Sequence, residues 1–302
     1  ILITVFGILF SHNILALMNT KDELIDGAVL YLRIYLLGMP ALGLYNFGNA
    51  VLSAAGDTKR PLYYIAFAGV VNVILNLFFV IVCHLGVAGV ALASMISQFI
   101  SAFLILRALL TGKEKYCLRL SEIRFDKRKA VGILQIGIPS AFQYSLFAFA
   151  NLFVQSSVNS FDHVLVEGNS AAANADPLVY DMMAAFYTAC SSFIAQNFGA
   201  RKKKRILQTY LICLFYSFIT SLLLGVGIYL ARYPFLYLFT SDKAVVEAGI
   251  TRLSIMALSY SASAFMDASI AASRGLGKTA VPTFVVVMGS CVFRIIWIYT
   301  IF

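Results

Sequence analysis

The sequence predicts an all-α polytopic membrane protein built from two copies of one repeat. Three observations carry this. Hydrophobic residues make up 61% of the chain and charged residues only 12%, with a mean hydropathy of +0.86. A soluble domain is about one quarter charged, and one this apolar would expose large adhesive patches. Nine runs approach the roughly 20 apolar residues that a spanning helix needs. Finally, Gly56-x-Thr58-x-x-Pro61 recurs 221 residues later as Gly277-x-Thr279-x-x-Pro282. Leu32/Leu253, Ala41/Ala262, Ala50/Ala271 and Ile74/Ile295 coincide at the same offset. A repeat of this kind dictates architecture.

The nine runs lie at about 1–18, 28–55, 62–83, 87–110, 131–157, 168–197, 206–231, 247–274 and 280–302. The first has no basic n-region and no small-residue cleavage site, so it reads as a helix already under way rather than a signal peptide. The connectors alternate in charge. Even-numbered ones hold 17 of the 23 Lys and Arg residues, including Lys59, Arg60, the stretch Arg107–Lys129, Arg201–Arg205, Arg274 and Lys278. Odd connectors and their flanks hold Lys21, Arg33, Arg232, Lys243 and Arg252. The positive-inside bias places the even connectors in the cytoplasm, and a location in the plasma membrane is expected.

Six runs separate the Pro61 turn from the Pro282 turn, an even number, so the two copies share one orientation. Such copies are related by an axis along the membrane normal. Residues 1–110 are expected to form part of an N-terminal lobe and residues 131–302 part of a C-terminal lobe. Between them, 111–130 form a cytoplasmic linker; Thr111–Lys129 has 10 charged residues in 19. Extrapolating the offset gives twelve helices in two six-helix lobes, with nine in this chain, from about helix 3 to helix 11.

Several motifs then fall into an order. Gly56-Asp57-Thr58 before Pro61, Asn72-x-x-x-Asn76 and Gly86-Val87-Ala88-Gly89-Val90-Ala91 resemble the first half of the multidrug and toxic compound extrusion (MATE) transporters. Arg274-Gly275-Leu276-Gly277-Lys278-Thr279 with Pro282 resembles the matching turn of the second half, and Gln196-Asn197-Phe198-Gly199-Ala200 the turn between helices eight and nine. The resemblance implies a V-shaped pair of lobes, alternating access, and efflux of organic, often cationic, compounds against inward Na⁺ or H⁺.

Candidate site residues are polar groups inside apolar runs, because an ionisable group at the bilayer centre costs about 2.5–3.5 kcal/mol and usually faces a cavity. Asp267 is mid-helix, and the resemblance associates a carboxylate of this helix with cation coupling. Asp176 and Asp181 flank Pro177, which is expected to interrupt its helix and free a carbonyl. Relatives often carry an acid at the Asp176 position. Gln143, Tyr144 and Asn151 follow Pro139; no acid lies between Pro139 and Ser160, where one branch of the family has one. Asn46 occupies the Asp267 position of the first repeat, with Asn49 nearby. Asn72 and Asn76 are expected to form an interhelical hydrogen-bond pair. Arg294 is expected either to pair with Asp267 or to snorkel. Tyr45 and Tyr260 are among the aromatic residues able to stack on a cationic drug.

The remaining features exclude other classes. The net charge of +9 resides in membrane-flanking turns, with Arg201–Arg205 a solvated cytoplasmic turn, so nucleic acid is not a partner. The five cysteines have no CxxC spacing and read as small buried hydrophobes. No Walker motif is present, and His12, His84 and His163 lie far apart, so neither ATP drive, a metal centre nor an enzyme is predicted. No cofactor is expected beyond a coupling ion, and a monomer in lipid is expected. Two alternatives stand beside ion-coupled export. A flippase for lipid-linked saccharides would favour a cavity rich in Arg and Lys. A receptor or scaffold would not need mid-helix carboxylates.

Overall fold

The computed structural model describes residues 1–17, 22–111 and 117–300. Among these residues the regular structure is helical, with no strand. The helices are α1 (Leu2–Leu17), α2 (Asp22–Ala54), α3 (Lys59–Leu77), α4 (Gly86–Thr111), α5 (Lys127–Val158), α6 (His163–Ala173), α7 (Ala175–Gly199), α8 (Lys203–Leu230), α9 (Arg232–Tyr237), α10 (Lys243–Gly275), α11 (Ala280–Val286) and α12 (Phe293–Thr300). A π-helical stretch, Phe78–Val82, prolongs α3, and another, Val287–Val292, joins α11 to α12. Eight of the resulting helical stretches are long and apolar enough to cross a membrane; α1, at 16 residues, is shorter. Large apolar side chains such as Phe67, Phe103, Leu223 and Leu258 point outward and are exposed. Helices satisfy their own backbone groups, so this surface suits hydrocarbon and not water.

The repeat is reproduced at the level of hydrogen bonds. α2 and α10 each have 33 residues, and their ends, Asp22/Lys243 and Ala54/Gly275, stand in the 221-residue register. So do the starts of α3 and α11, Lys59 and Ala280. After each long helix the chain reverses through a glycine in the left-handed region, Gly56 at φ 90° and Gly277 at φ 74°. Glycine enters that region at no conformational cost, which residues with a Cβ do not. The amide of Asp57 donates to the Leu52 carbonyl and that of Lys278 to the Ser273 carbonyl, each at 2.9 Å. These bonds satisfy carbonyls that the helix end leaves free. Pro61 and Pro282 then sit in the first turn of the next helix, where a missing N–H costs nothing.

One expected run divides differently. The run over 168–197 begins earlier, at His163, and breaks at Asn174 between α6 and α7. Pro177 therefore does not interrupt a helix; it lies in the first turn of α7, a position that tolerates proline. The run over 206–231 ends at Leu230, and Arg232–Tyr237 forms the separate α9. Pro40 and Pro139 do lie inside their helices, α2 and α5. Of the cysteines, Cys190 and Cys291 are buried as expected, whereas Cys83 is exposed and Cys117 and Cys213 are intermediate.

The chain divides into two compact units, Ile1–Arg124 and Phe125–Phe302. In the first, α2 packs along α4 through Tyr45, Leu52, Ile105 and Leu109. In the second, α10 is the central element, with clusters at three heights: Leu236, Val246 and Leu253 with alanines of α6 and α7; Val179, Met183, Tyr260 and Ala264; and Cys190, Ile194 and Ala271. Small residues set the spacing. A Cβ on Gly168 would lie 2.7 Å from the Val245 carbonyl, one on Gly275 would lie 2.7 Å from the Ser191 carbonyl, and one on Gly225 would strike the Ala257 carbonyl. Close backbone approach of this kind is how helices associate without a hydrophobic driving force between them. It also brings the polar side chains of α7 and α10 into reach of one another.

Candidate functional site

The site is a pair of facing stripes in the second unit. On α10, Tyr260, Asp267 and Arg274 are seven residues apart, so they fall on nearly one line along the helix. On α7, Asp176, Tyr180, Met183 and Tyr187 follow the i, i+4, i+7, i+11 rule for one helix face. The two stripes meet.

At one end, Asp176 lies in the first turn of α7, where the helix dipole favours a negative charge. Arg252 of α10 donates to one carboxylate oxygen through Nη2 at 2.6 Å, and its Nη1 donates to the Asn169 carbonyl at 2.8 Å. The Tyr260 hydroxyl donates to the other carboxylate oxygen. Both oxygens of Asp176 are thus engaged and its charge is neutralised by a partly buried guanidinium. The rings of Tyr260 and Tyr180 meet edge to face at 5.9 Å.

Further along, Asp267 is half-buried, and among the described residues no side chain donates a hydrogen bond to its carboxylate. Tyr180 stands within electrostatic reach of Asp176, Asp267 and Arg294. At the far end, Arg274 donates to Gln143 Oε1 of α5 at 3.1 Å, an oxygen that also accepts from the Thr283 hydroxyl at 3.1 Å. The guanidinium lies between two rings, 5.5 Å from the centroid of Tyr144 and 5.6 Å from that of Tyr187. The repeat threonine Thr279 donates to the Gln135 carbonyl at 3.2 Å, fixing the turn against α5.

Of the residues singled out in the sequence, Asp176 and Asp267 lie on the facing stripes of α7 and α10, both within electrostatic reach of Tyr180, and Gln143 is bonded to Arg274 of the same α10 stripe. Asn151 lies on α5 and accepts from Arg294 at 2.9 Å. That bond overturns the expected pairing of Arg294 with Asp267: α12 runs beside α5 here, and the guanidinium finds the Asn151 amide oxygen first. Asp181 is exposed and, five residues past Asp176, points to a different face of α7. Asn46 is exposed on α2 in the other unit, where Asn49 accepts from Ser53 at 3.1 Å. Asn72 and Asn76 bond to each other along one helix at 3.0 Å, not between helices; the interhelical bond is from Asn72 to Ser97 of α4, at 3.3 Å. Tyr45 and Tyr260 are 4% and 1% exposed, too buried to stack on a ligand. Their hydroxyls are spent on the Pro61 carbonyl and on Asp176.

The sequence does not single out Arg252, which stands with the basic residues flanking a connector. The available signal was a basic residue inside the apolar run 247–274, two turns before Tyr260.

These features define a polytopic helical membrane protein that holds ionisable groups between packed helices of one unit. The chain belongs to the MatE family, whose model matches residues 1–78 and 139–300. It is 33% identical over 201 residues to the probable multidrug resistance protein YpnP of Bacillus subtilis, an alignment covering 66% of this chain and 44% of that protein. It is 27% identical over 269 residues to the probable multidrug resistance protein YoeA of the same organism, covering 86% and 58%. The chain thus spans about half the length of these relatives. A solved outward-facing multidrug resistance MATE family transporter shares the fold, with a TM-score of 0.92 at 22% identity over 98% of this chain and 67% of that one.

Proposed function

We propose that the protein carrying this chain is a secondary transporter that exports organic cations in exchange for inward Na⁺ or H⁺, with Asp267 as the coupling group. The observation that carries this reading is the contrast between two carboxylates on facing stripes. Asp176 is saturated by Arg252 and Tyr260. Asp267 lacks a hydrogen-bonding partner among the described residues. An ionised carboxylate in a spanning helix carries a penalty of about 2.5–3.5 kcal/mol. Arg252 offsets it for Asp176. For Asp267 a mobile cation or a proton offsets it, and a ligand that binds one conformation better than another shifts the balance between them. Loading from outside and cargo from inside then alternate, with the basic connectors on the cytoplasmic face.

The test is ethidium efflux from vesicles containing the protein that carries this chain, under an imposed Na⁺ or H⁺ gradient. Wild type should accelerate efflux when the gradient is present, and Asp267→Asn should not respond to it. Efflux that ignores both gradients in the wild type would rule out coupled export.

A further inference from the structure

Arg274 has an unusual set of neighbours for a cation at the end of a membrane helix. Among the described residues no carboxylate lies within ion-pair distance of it. Its guanidinium is held by neutral groups: the ring faces of Tyr144 and Tyr187 and the amide oxygen of Gln143. The guanidinium also sits at the C-terminal end of α10, where the helix dipole favours a cation. Three helices build this box. α5 supplies Gln143 and Tyr144, α7 supplies Tyr187, and α10 reaches α7 closely because residue 275 is glycine. Tyr144 is 60% exposed, so the box is open on one side. Tyr187 also stands within electrostatic reach of Asp267, which places the box beside the coupling carboxylate.

Two aromatic faces and an amide oxygen attract a weakly hydrated cation by its charge and polarisability, whatever carries it. The Gln143 oxygen takes one N–H bond from the guanidinium, but the two ring faces attract quaternary ammonium or phosphonium as well, and among the described residues no carboxylate fixes Arg274 there. Its stem is long enough to carry the charge from the helix end to cytoplasmic water. We propose that Tyr144, Tyr187 and Gln143 form a binding subsite for an organic cation, which Arg274 fills at rest and yields when cargo displaces it. The proposal rests on the cation-export reading and gives it a place at the end of α10 and an occupant that cargo must displace. The tethered arginine acts as an internal competitor and lowers apparent affinity in proportion to the time it occupies the box.

The experiment is equilibrium binding of tetraphenylphosphonium to the purified protein in detergent, with no ion gradient. Arg274→Gln removes the competitor and should tighten binding roughly tenfold, whereas tetraphenylborate, the same shape with the opposite charge, should gain nothing. Tyr187→Leu should weaken phosphonium binding roughly tenfold, while Tyr187→Phe, which keeps the ring and controls for folding, should bind as the wild type does. Phosphonium binding no tighter in Arg274→Gln than in wild type, or equal affinities for Tyr187→Leu and Tyr187→Phe, would overturn the subsite and leave cation export standing. If neither the wild type nor any variant binds phosphonium, the cation-export reading falls and the subsite with it.

Discussion

Arg252 of α10 and Asp176 of α7 are joined at 2.6 Å across the helix interface, with about three quarters of each side chain buried. The pair accounts for one of the two acids on the facing stripes of α7 and α10 and leaves the other, Asp267, for a transient partner. Removing one member strands the other charge. Arg252→Leu is therefore expected to destabilise the protein by about 3 kcal/mol, the lower end of the range for breaking a buried pair. The double variant Arg252→Leu/Asp176→Leu should recover much of the loss. Thermal unfolding in detergent of the single and double variants checks both.

The two repeat turns predict a symmetric result. Gly56→Ala and Gly277→Ala each place a Cβ on a left-handed residue, at φ 90° and φ 74°. Open space surrounds both positions, so the cost is conformational and not a clash. Each is expected to destabilise by about 1–2 kcal/mol. Unfolding midpoints of the two variants should fall by similar amounts.

Gly225→Ala tests the packing of α8 on α10. A Cβ there strikes the Ala257 carbonyl, a backbone atom that cannot move aside as a flexible side chain would. A loss of about 1–3 kcal/mol is expected, as for overpacked cores. Gly227→Ala on the same helix meets nothing within 4 Å and should be neutral or slightly stabilising, so the two melting curves read against each other.

Much of this fold is legible in the sequence because its controlling signals are local. The left-handed glycines and first-turn prolines mark both ends of the repeat, and the register they define returns in the structure as matching helix ends and matching hydrogen bonds. The break at Asn174 is not legible, because no long polar stretch marks it; the helix there ends within one apolar run. Candidate acids are found by their cost in an apolar run, but their partners are not. Whether Asp176 or Asp267 is neutralised depends on which residues α10 brings to α7, and that follows from packing such as the close approach at Gly275. Arg294 shows the same limit: hydropathy places it in a span, and only tertiary packing selects Asn151 as its acceptor.

The central claim is that ion and cargo movements are linked at Asp267. It is tested most directly by driving the exchange backwards. Vesicles containing the full-length protein are given an ethidium gradient and no ion gradient, and Na⁺ or H⁺ movement is followed with ²²Na⁺ or a pH-sensitive dye. Ion movement opposite to ethidium is expected in the wild type and in Asp181→Asn, whose side chain lies on an exposed face. None is expected in Asp267→Asn. Counterflow at the wild-type rate in Asp267→Asn would contradict the claim.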